Sequence, residues 1–297
     1  MARKDLEQLA ASAVWPAGAA LSQQEFCAHV RSEGTRLYRD LPWRGIDDAY
    51  GVLVSEVMLQ QTQVKRVLGR WEHFMGMFPT PDALAAAAPA DVLAEWQGLG
   101  YNRRALALKR ACEICSQDFG GKLPETVDEL KALPGIGPAT AAGVVAFAHN
   151  RPAMYLETNV RTVFLHELFP DEEAIRDKQL EPLVRATCPA DNPRSWYYAL
   201  LDYGAHLKAT FGNASRRSAH YTRQSAFEGS RRQKRAEVVR IVLAAEGAIS
   251  LEEAHSLLNS FERDHGREGV DDDLFASITS DLEREGFFVV EDGIARA

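Results

Sequence analysis

Cysteine is scarce in this sequence: four residues in 297, at Cys27, Cys112, Cys115 and Cys188, which excludes a disulfide scaffold. Long apolar runs are missing too; nothing approaches the roughly 20 residues that a membrane-spanning helix needs. The opening residues Met1–Asp5 read MARKD and lead into no apolar signal core, so the expectation is a cytoplasmic protein that does not meet a membrane. Runs of β-branched residues in strict alternation are absent until the C-terminal end, which excludes a large sheet over the first 230 residues or so. His149, His166, His206 and His220 show no ligand spacing, and Cys112–Cys115 lies inside a helical pattern. That pair fits two small buried hydrophobes better than a metal site, so no structural zinc is expected.

What is present suits a globular chain with one large domain or two smaller ones: 46% hydrophobic and 26% charged residues. A net charge of −8 argues against wholesale coating of nucleic acid, but the charge is unevenly spread. From Lys208 to Arg235 there are eight Lys/Arg against one acid, Glu228. The stretch is either a solvated loop with basic helix ends or a phosphate-contacting surface, where such side chains gain by displacing condensed counterions.

The pattern along the chain is helical. One helix is expected within residues 21–38, broken by Leu41–Arg44, and a long helical pattern over 47–78 starts at an Asp and is broken at most once. Residues 80–100 read as two short capped helices ending at glycines, and 102–120 as another helix. In TVDELKALPGIGPATAAGVVAFAHN a helix capped by Thr126 runs to Leu133, and Pro134 stops it. Gly135-Ile136-Gly137 then turns the chain, and Pro138 sits where a helix can begin without its N–H. Two glycines there leave backbone N–H groups open at a helix start, a ready anion site that would suit a duplex phosphate; an ordinary corner between helices is the alternative.

Two acids stand out. Glu56 follows the apolar run Val52-Leu53-Val54 and lies one helical turn before Gln60. It is either a partly buried acid with a raised pKa or a surface partner of Arg or Lys. Glu157 sits among apolar neighbours in MYLETNV and is open to three readings: solvated charge, helix cap, or half of a reaction.

Taken together, LPWR…DAY…VSEVMLQQTQV, FPTPDALAAA…VLAEWQGLGYNRRALAL, LPGIGPATA and LETNVRTV resemble, in order, segments of the MutY-type adenine DNA glycosylases. Those belong to the helix–hairpin–helix superfamily with endonuclease III, and the likeness covers roughly residues 25–230. It implies a mostly α, two-lobed helix–hairpin–helix glycosylase domain over 21–230; residues 1–20 read on their own as a mobile start. By that resemblance Glu56 matches the glutamate that protonates the departing base and helps to activate water. Glu157 matches the aspartate that stabilises positive charge on the sugar, and Arg44 and Asn159 match residues that position those carboxylates. Gln60, Gln61 and Tyr101 match segments that push into the duplex, and Gly135 and Gly137 the phosphate-binding hairpin. The partner implied is double-stranded DNA with a mispaired or damaged base, met by a monomer close to the nucleoid. Such chemistry needs these parts, because a stacked base must be flipped out before its C1′–N bond can be cleaved with one carboxyl as acid and another beside the cation.

The departures from the family pattern are specific. Endonuclease III has a nucleophilic lysine two residues after the hairpin's second glycine; here the position is Ala139, so an enzyme without strong lyase activity is expected. The four-cysteine iron–sulfur loop is replaced by KATFGNASRRSAHYTRQSAFEGSRRQKR, with no cysteine, so no iron–sulfur cofactor is expected. Arg216, Arg217, Tyr221 and Arg223 are expected to hold that loop together and contact phosphate. Glu stands at 157 where the family has Asp, and no Nudix-like domain for reading 8-oxoguanine is expected.

Residues 231–297 read as three helices and a hairpin with its turn at Asp292-Gly293, a winged-helix-like α+β module. Its third helix carries six acids between Asp271 and Gly286, which suits structural support or protein contact better than reading DNA. The leading expectation is a monofunctional glycosylase that removes adenine. The alternatives are a thymine, uracil or hypoxanthine glycosylase, and a catalytically inactive binder of DNA structures.

Overall fold

The computed structural model describes residues 15–219, 221, 226–245 and 247–297. Helix α1 spans Gln23–Arg36, α2 Ala49–Leu59, α3 Val64–Val67, α4 Arg70–Met77, α5 Pro81–Ala86, α6 Pro89–Glu95 and α7 Arg103–Asp118. Then come α8 (Val127–Ala132), α9 (Pro138–Phe147), α10 (Thr158–Leu168), α11 (Asp177–Thr187), α12 (Pro193–Thr210) and a 3-10 turn at Ala214–Arg217. The tail is α13 (Arg231–Ala244), β1 (Ile249–Ser250), α14 (Leu251–Asp264), α15 (Asp272–Arg284), β2 (Val289–Glu291) and β3 (Ile294–Arg296). Of the described residues, those within Met1–Val57 and Leu123–Arg223 form one compact unit, and those within Met58–Lys122 and Gln224–Ala297 a second.

Local chemistry sets most of the helix starts. Ser22 and Glu25 close a reciprocal capping box on α1, and Thr80 and Thr126 cap α5 and α8. Asp48 accepts from the N–H groups of Tyr50 and Gly51, and Pro138 opens α9. The long pattern over 47–78 breaks twice rather than once, at 60–63 and again at 68–69. Gln60 therefore lies just beyond the end of α2.

In the first unit α12 packs against α1 and α10. Phe26, Phe164 and Trp196 meet edge-on or tilted with ring centroids 5.0 and 6.4 Å from Phe26. Burying side chains of this size stabilises by roughly 1.5–3 kcal/mol each. Among the described residues the first unit has no strand beyond an isolated bridge between Ile175 and Ser218, as the missing alternation implied.

In the second unit α5 and α6 pack on α7, whose Cys112 and Cys115 are fully buried as small apolar groups. Burial pushes the Cys115 thiol up to about 11 and that of Cys112 higher still. The tail forms the expected three helices and hairpin, with Asp292 (φ 51°) and Gly293 (φ 76°) making the two-residue left-handed turn. A third strand, β1, pairs antiparallel with β3 and sets Ile249 opposite Ala295; two residues were too short for periodicity to reveal.

The acidic helix α15 has a structural partner. Asp281 pairs with Arg231 at 2.6 Å, and Glu285 pairs with Arg235 at 2.6 Å and with Arg103. Lys234 reaches buried Glu262 at 3.0 Å. Much of the basic stretch is thus spent inside the second unit, and neither a solvated loop nor an open phosphate surface describes that half of it.

Candidate active site

The first unit brings Glu56 and Glu157 together in opposite surroundings. Glu56 projects from α2, and its Oε2 accepts a hydrogen bond from the Tyr155 hydroxyl at 3.2 Å. Gly143 of α9 lies against the same oxygen; a Cβ there would sit 2.5 Å from it and 3.0 Å from the Tyr155 ring. Phe147 packs edge-on to Tyr155, with centroids 5.1 Å apart. Burial first, and the Glu157 charge second, push the Glu56 carboxyl up to about 8. This fits the partly buried acid, and among the described residues no Arg or Lys pairs with it.

Glu157 is the N-cap of α10. Its carboxylate accepts from the backbone N–H groups of Asn159 at 2.6 Å and Val160 at 3.0 Å. Burial is the largest cause and leaves its pKa raised, although these two bonds and then the charges of Lys208 and Arg161 pull the other way. The Glu157 charge in turn helps to keep the proton on Glu56. Cap and reactive group are not competing readings, because the cap bonds are what favour the ionised form. Asn159 is also fixed: its Oδ1 accepts from Lys208 Nζ at 2.9 Å, and α12 reaches its backbone at Gly204. A Cβ at 204 would lie 2.3 Å from the Asn159 carbonyl oxygen, so only glycine allows this crossing.

Arg44 corrects the sequence expectation. It bonds neither carboxylate: its guanidinium grips Asp202 of α12 in a buried fork, 2.7 and 2.8 Å, and donates to the Arg39 carbonyl. The planar fork and the carboxylate match, and each satisfies the other's buried charge. Arg44 reaches Glu56 indirectly, through rings: it lies 4.5 Å over Tyr198, which stacks at 4.9 Å on Phe147, which meets Tyr155. Arg44→Met is expected to cost about 3 kcal/mol of stability, because Asp202 keeps a buried charge with Arg39 alone. Urea unfolding of Arg44→Met and of Arg44→Met/Asp202→Leu measures this: the double variant should regain much of the loss, and a single variant as stable as the parent would contradict the assignment.

The hairpin forms as read. Gly135 takes a left-handed φ of 74°, Ile136 is buried, and Gly137 precedes Pro138 at the uncapped start of α9, with both glycines exposed. Ala139 is the second residue of that helix. In the second unit Gln60, Gln61 and Tyr101 lie in two turns held by Arg104, a residue the pattern did not single out. Tyr155, Gly143, Asp202 and Lys208 were missed as well, since only the fold brings them to Glu56, Arg44 and Asn159.

The loop after α12 departs from the phosphate reading. Arg217 donates to the carbonyls of Phe169, Pro170, Glu172 and Leu165, closing the C-terminal end of α10. It holds the loop, as expected, but its guanidinium is spent on carbonyls rather than turned to phosphate. Arg216 is exposed, and Arg223 lies outside the described residues. The thiolate donors of an iron–sulfur cluster do not fit here: the loop carries no cysteine, and Arg217 with the Ile175–Ser218 bridge holds its described part.

Residues 54–189 match the family described as HhH-GPD superfamily base excision DNA repair protein. The chain is 32% identical over 283 residues to the adenine DNA glycosylase of Mycobacterium tuberculosis, spanning 85% of this chain and 91% of that one. It is 39% identical over 170 residues to the adenine DNA glycosylase of Mycolicibacterium smegmatis, a match that spans 56% of this chain and 58% of the relative. The solved structure of a thermostable thymine-DNA glycosylase superposes with a TM-score of 0.55 at 23% identity, over 62% of this chain and 86% of that one, a likeness of fold. The chain belongs to the HhH-GPD superfamily of base excision DNA repair proteins, among its DNA glycosylases.

Proposed function

We propose that the protein flips a mispaired or damaged base out of double-stranded DNA, adenine first among the candidates, and hydrolyses its N-glycosidic bond. The observation that carries this reading is the unequal pair of acids. Glu56 is kept protonated in an aromatic, glycine-lined pocket, and Glu157 accepts from the N–H groups of a helix start, which favour its ionised form. Two carboxyls driven apart in pKa are what the reaction needs. The Glu56 proton passes to the base as the C1′–N bond breaks and its electron pair leaves with the base. Glu157 faces the cation that develops on the sugar, and water adds to C1′ while its proton returns to Glu56. The adenine candidate rests on the names of the relatives that the chain matches over most of their length or over its family domain.

In this reading Gly135, Gly137 and the start of α9 take a phosphate, Gln60, Gln61 and Tyr101 enter the vacated stack, and no iron–sulfur cluster takes part. Ala139 supplies no amine, so base release is not followed by a Schiff base. Single-turnover reactions on a duplex panel with adenine, thymine, uracil or hypoxanthine as target, with and without alkali, test this. Abasic sites revealed by alkali, with adenine cleaved fastest and no borohydride-trapped adduct, are expected. Faster release of thymine or uracil would move the substrate assignment, trapping would overturn the Ala139 statement, and a bound but wholly uncut panel would leave a DNA-structure binder.

A further inference from the structure

We propose that Arg104 and Arg232 are positioning residues that hold Gln61 and Tyr101 as a preformed wedge, so that the C-terminal module acts in base extrusion through Tyr101. The inference rests on the function proposed above. Two turns of the second unit carry the residues concerned, and each contains a non-glycine residue in the left-handed region: Gln61 at φ 54° and Tyr101 at φ 51°. Neither side chain favours that backbone, so something outside each turn must impose it.

Arg104 is that agent. One guanidinium nitrogen donates to the carbonyls of Met58 (3.0 Å), in the last turn of α2, and of Gln60 (2.6 Å), the residue before Gln61. The other donates to Leu99 O (3.3 Å), Gly100 O (2.9 Å) and Thr62 Oγ1 (3.0 Å), tying in the turn that leads to Tyr101. The same cation lies 5.5 Å from the Tyr101 ring. A planar fork spans acceptors on both turns; the compact ammonium of a lysine would not. Arg232 of α13 completes the hold, donating to the Tyr101 hydroxyl at 2.8 Å with its guanidinium 5.3 Å from the ring. Gln60, Gln61, Tyr101 and Arg232 line one 560 Å³ cavity, which places the two turns on a common face. A wedge fixed before DNA arrives spends none of its binding on ordering itself, and that shortens the path to an extruded base.

Arg104→Lys and Arg232→Met, each in a Glu56→Gln background, are bound to a duplex with 2-aminopurine beside the target. Both should bind within about threefold of the Glu56→Gln parent, while the fluorescence rise that reports unstacking falls below about a third of its value. With Glu56 restored, both should lose about tenfold or more in kcat on a mispaired target and less than about threefold when the target faces an abasic site. A parent-like rise in both variants, or equal losses on the two duplexes, overturns the proposal, as does a parent that leaves the stack intact. Should Arg104→Lys fail to fold, Arg232→Met decides alone. A parent that unstacks the duplex but releases no base overturns the proposed function and leaves the wedge assignment standing.

Discussion

A Glu56→Gln variant loses on the order of 10²–10⁴ in single-turnover excision, the range over which a positioned general acid contributes, and becomes the more stable protein above neutral pH. Glutamine keeps the shape and still accepts from Tyr155, but it has no proton to give the departing base. The stability gain follows from the shift of the carboxyl from its ordinary 4.5 to about 8 in the folded chain. The folded state binds this proton more tightly than the unfolded state does. As pH rises from 4.5 the unfolded chain releases it first, so the parent loses stability until about pH 8, beyond which the difference is constant. The variant has nothing to release, so thermal melts should coincide near pH 4.5 and separate by on the order of 4 kcal/mol at pH 8. Parent activity should fall as pH passes about 8 and Glu56 loses its proton. A variant with parental rates, or a stability gap independent of pH, would remove Glu56 from the role of acid.

Glu157→Gln separates charge from capping. The amide oxygen still accepts from the N–H groups of Asn159 and Val160, so the melting temperature should hardly move, while excision falls on the order of 10²–10³ because a developing cation loses its counter-charge. Glu157→Asp keeps the charge and an oxygen suited to the same cap, and should stay within about tenfold of the parent. Rates for Glu157→Gln equal to those of the parent would reduce Glu157 to a helix cap.

How far the sequence reached follows from where each decision is made. Thr126, Pro134, Pro138 and Asp292-Gly293 act on their own neighbours, so the hairpin and the C-terminal turn were legible. The apolar run before Glu56 and the family pattern around Glu157 marked both acids. Gln61 shows the limit: glutamine has no leaning to φ > 0, and the clamp that bends it comes from Arg104, which no local pattern can show. Arg44 failed for a similar reason. Its segment matched the family pattern, but its partner Asp202 lies on α12, where only the packing of α1 and α10 on that helix could reveal it. The basic stretch misled through composition, since a run of cations says nothing of the carbonyls and carboxylates that Arg217, Arg231 and Arg235 find.

One helix underlies several of these contacts. Asp202, Gly204 and Lys208 all stand on α12, and they hold Arg44, the Asn159 backbone and the Asn159 side chain respectively. The Glu157 turn thus belongs to the same cooperative foldon as α12, and a local fluctuation that frayed the helix would dismantle both anchors at once. The expected consequence is that amide exchange in that turn follows the opening of α12.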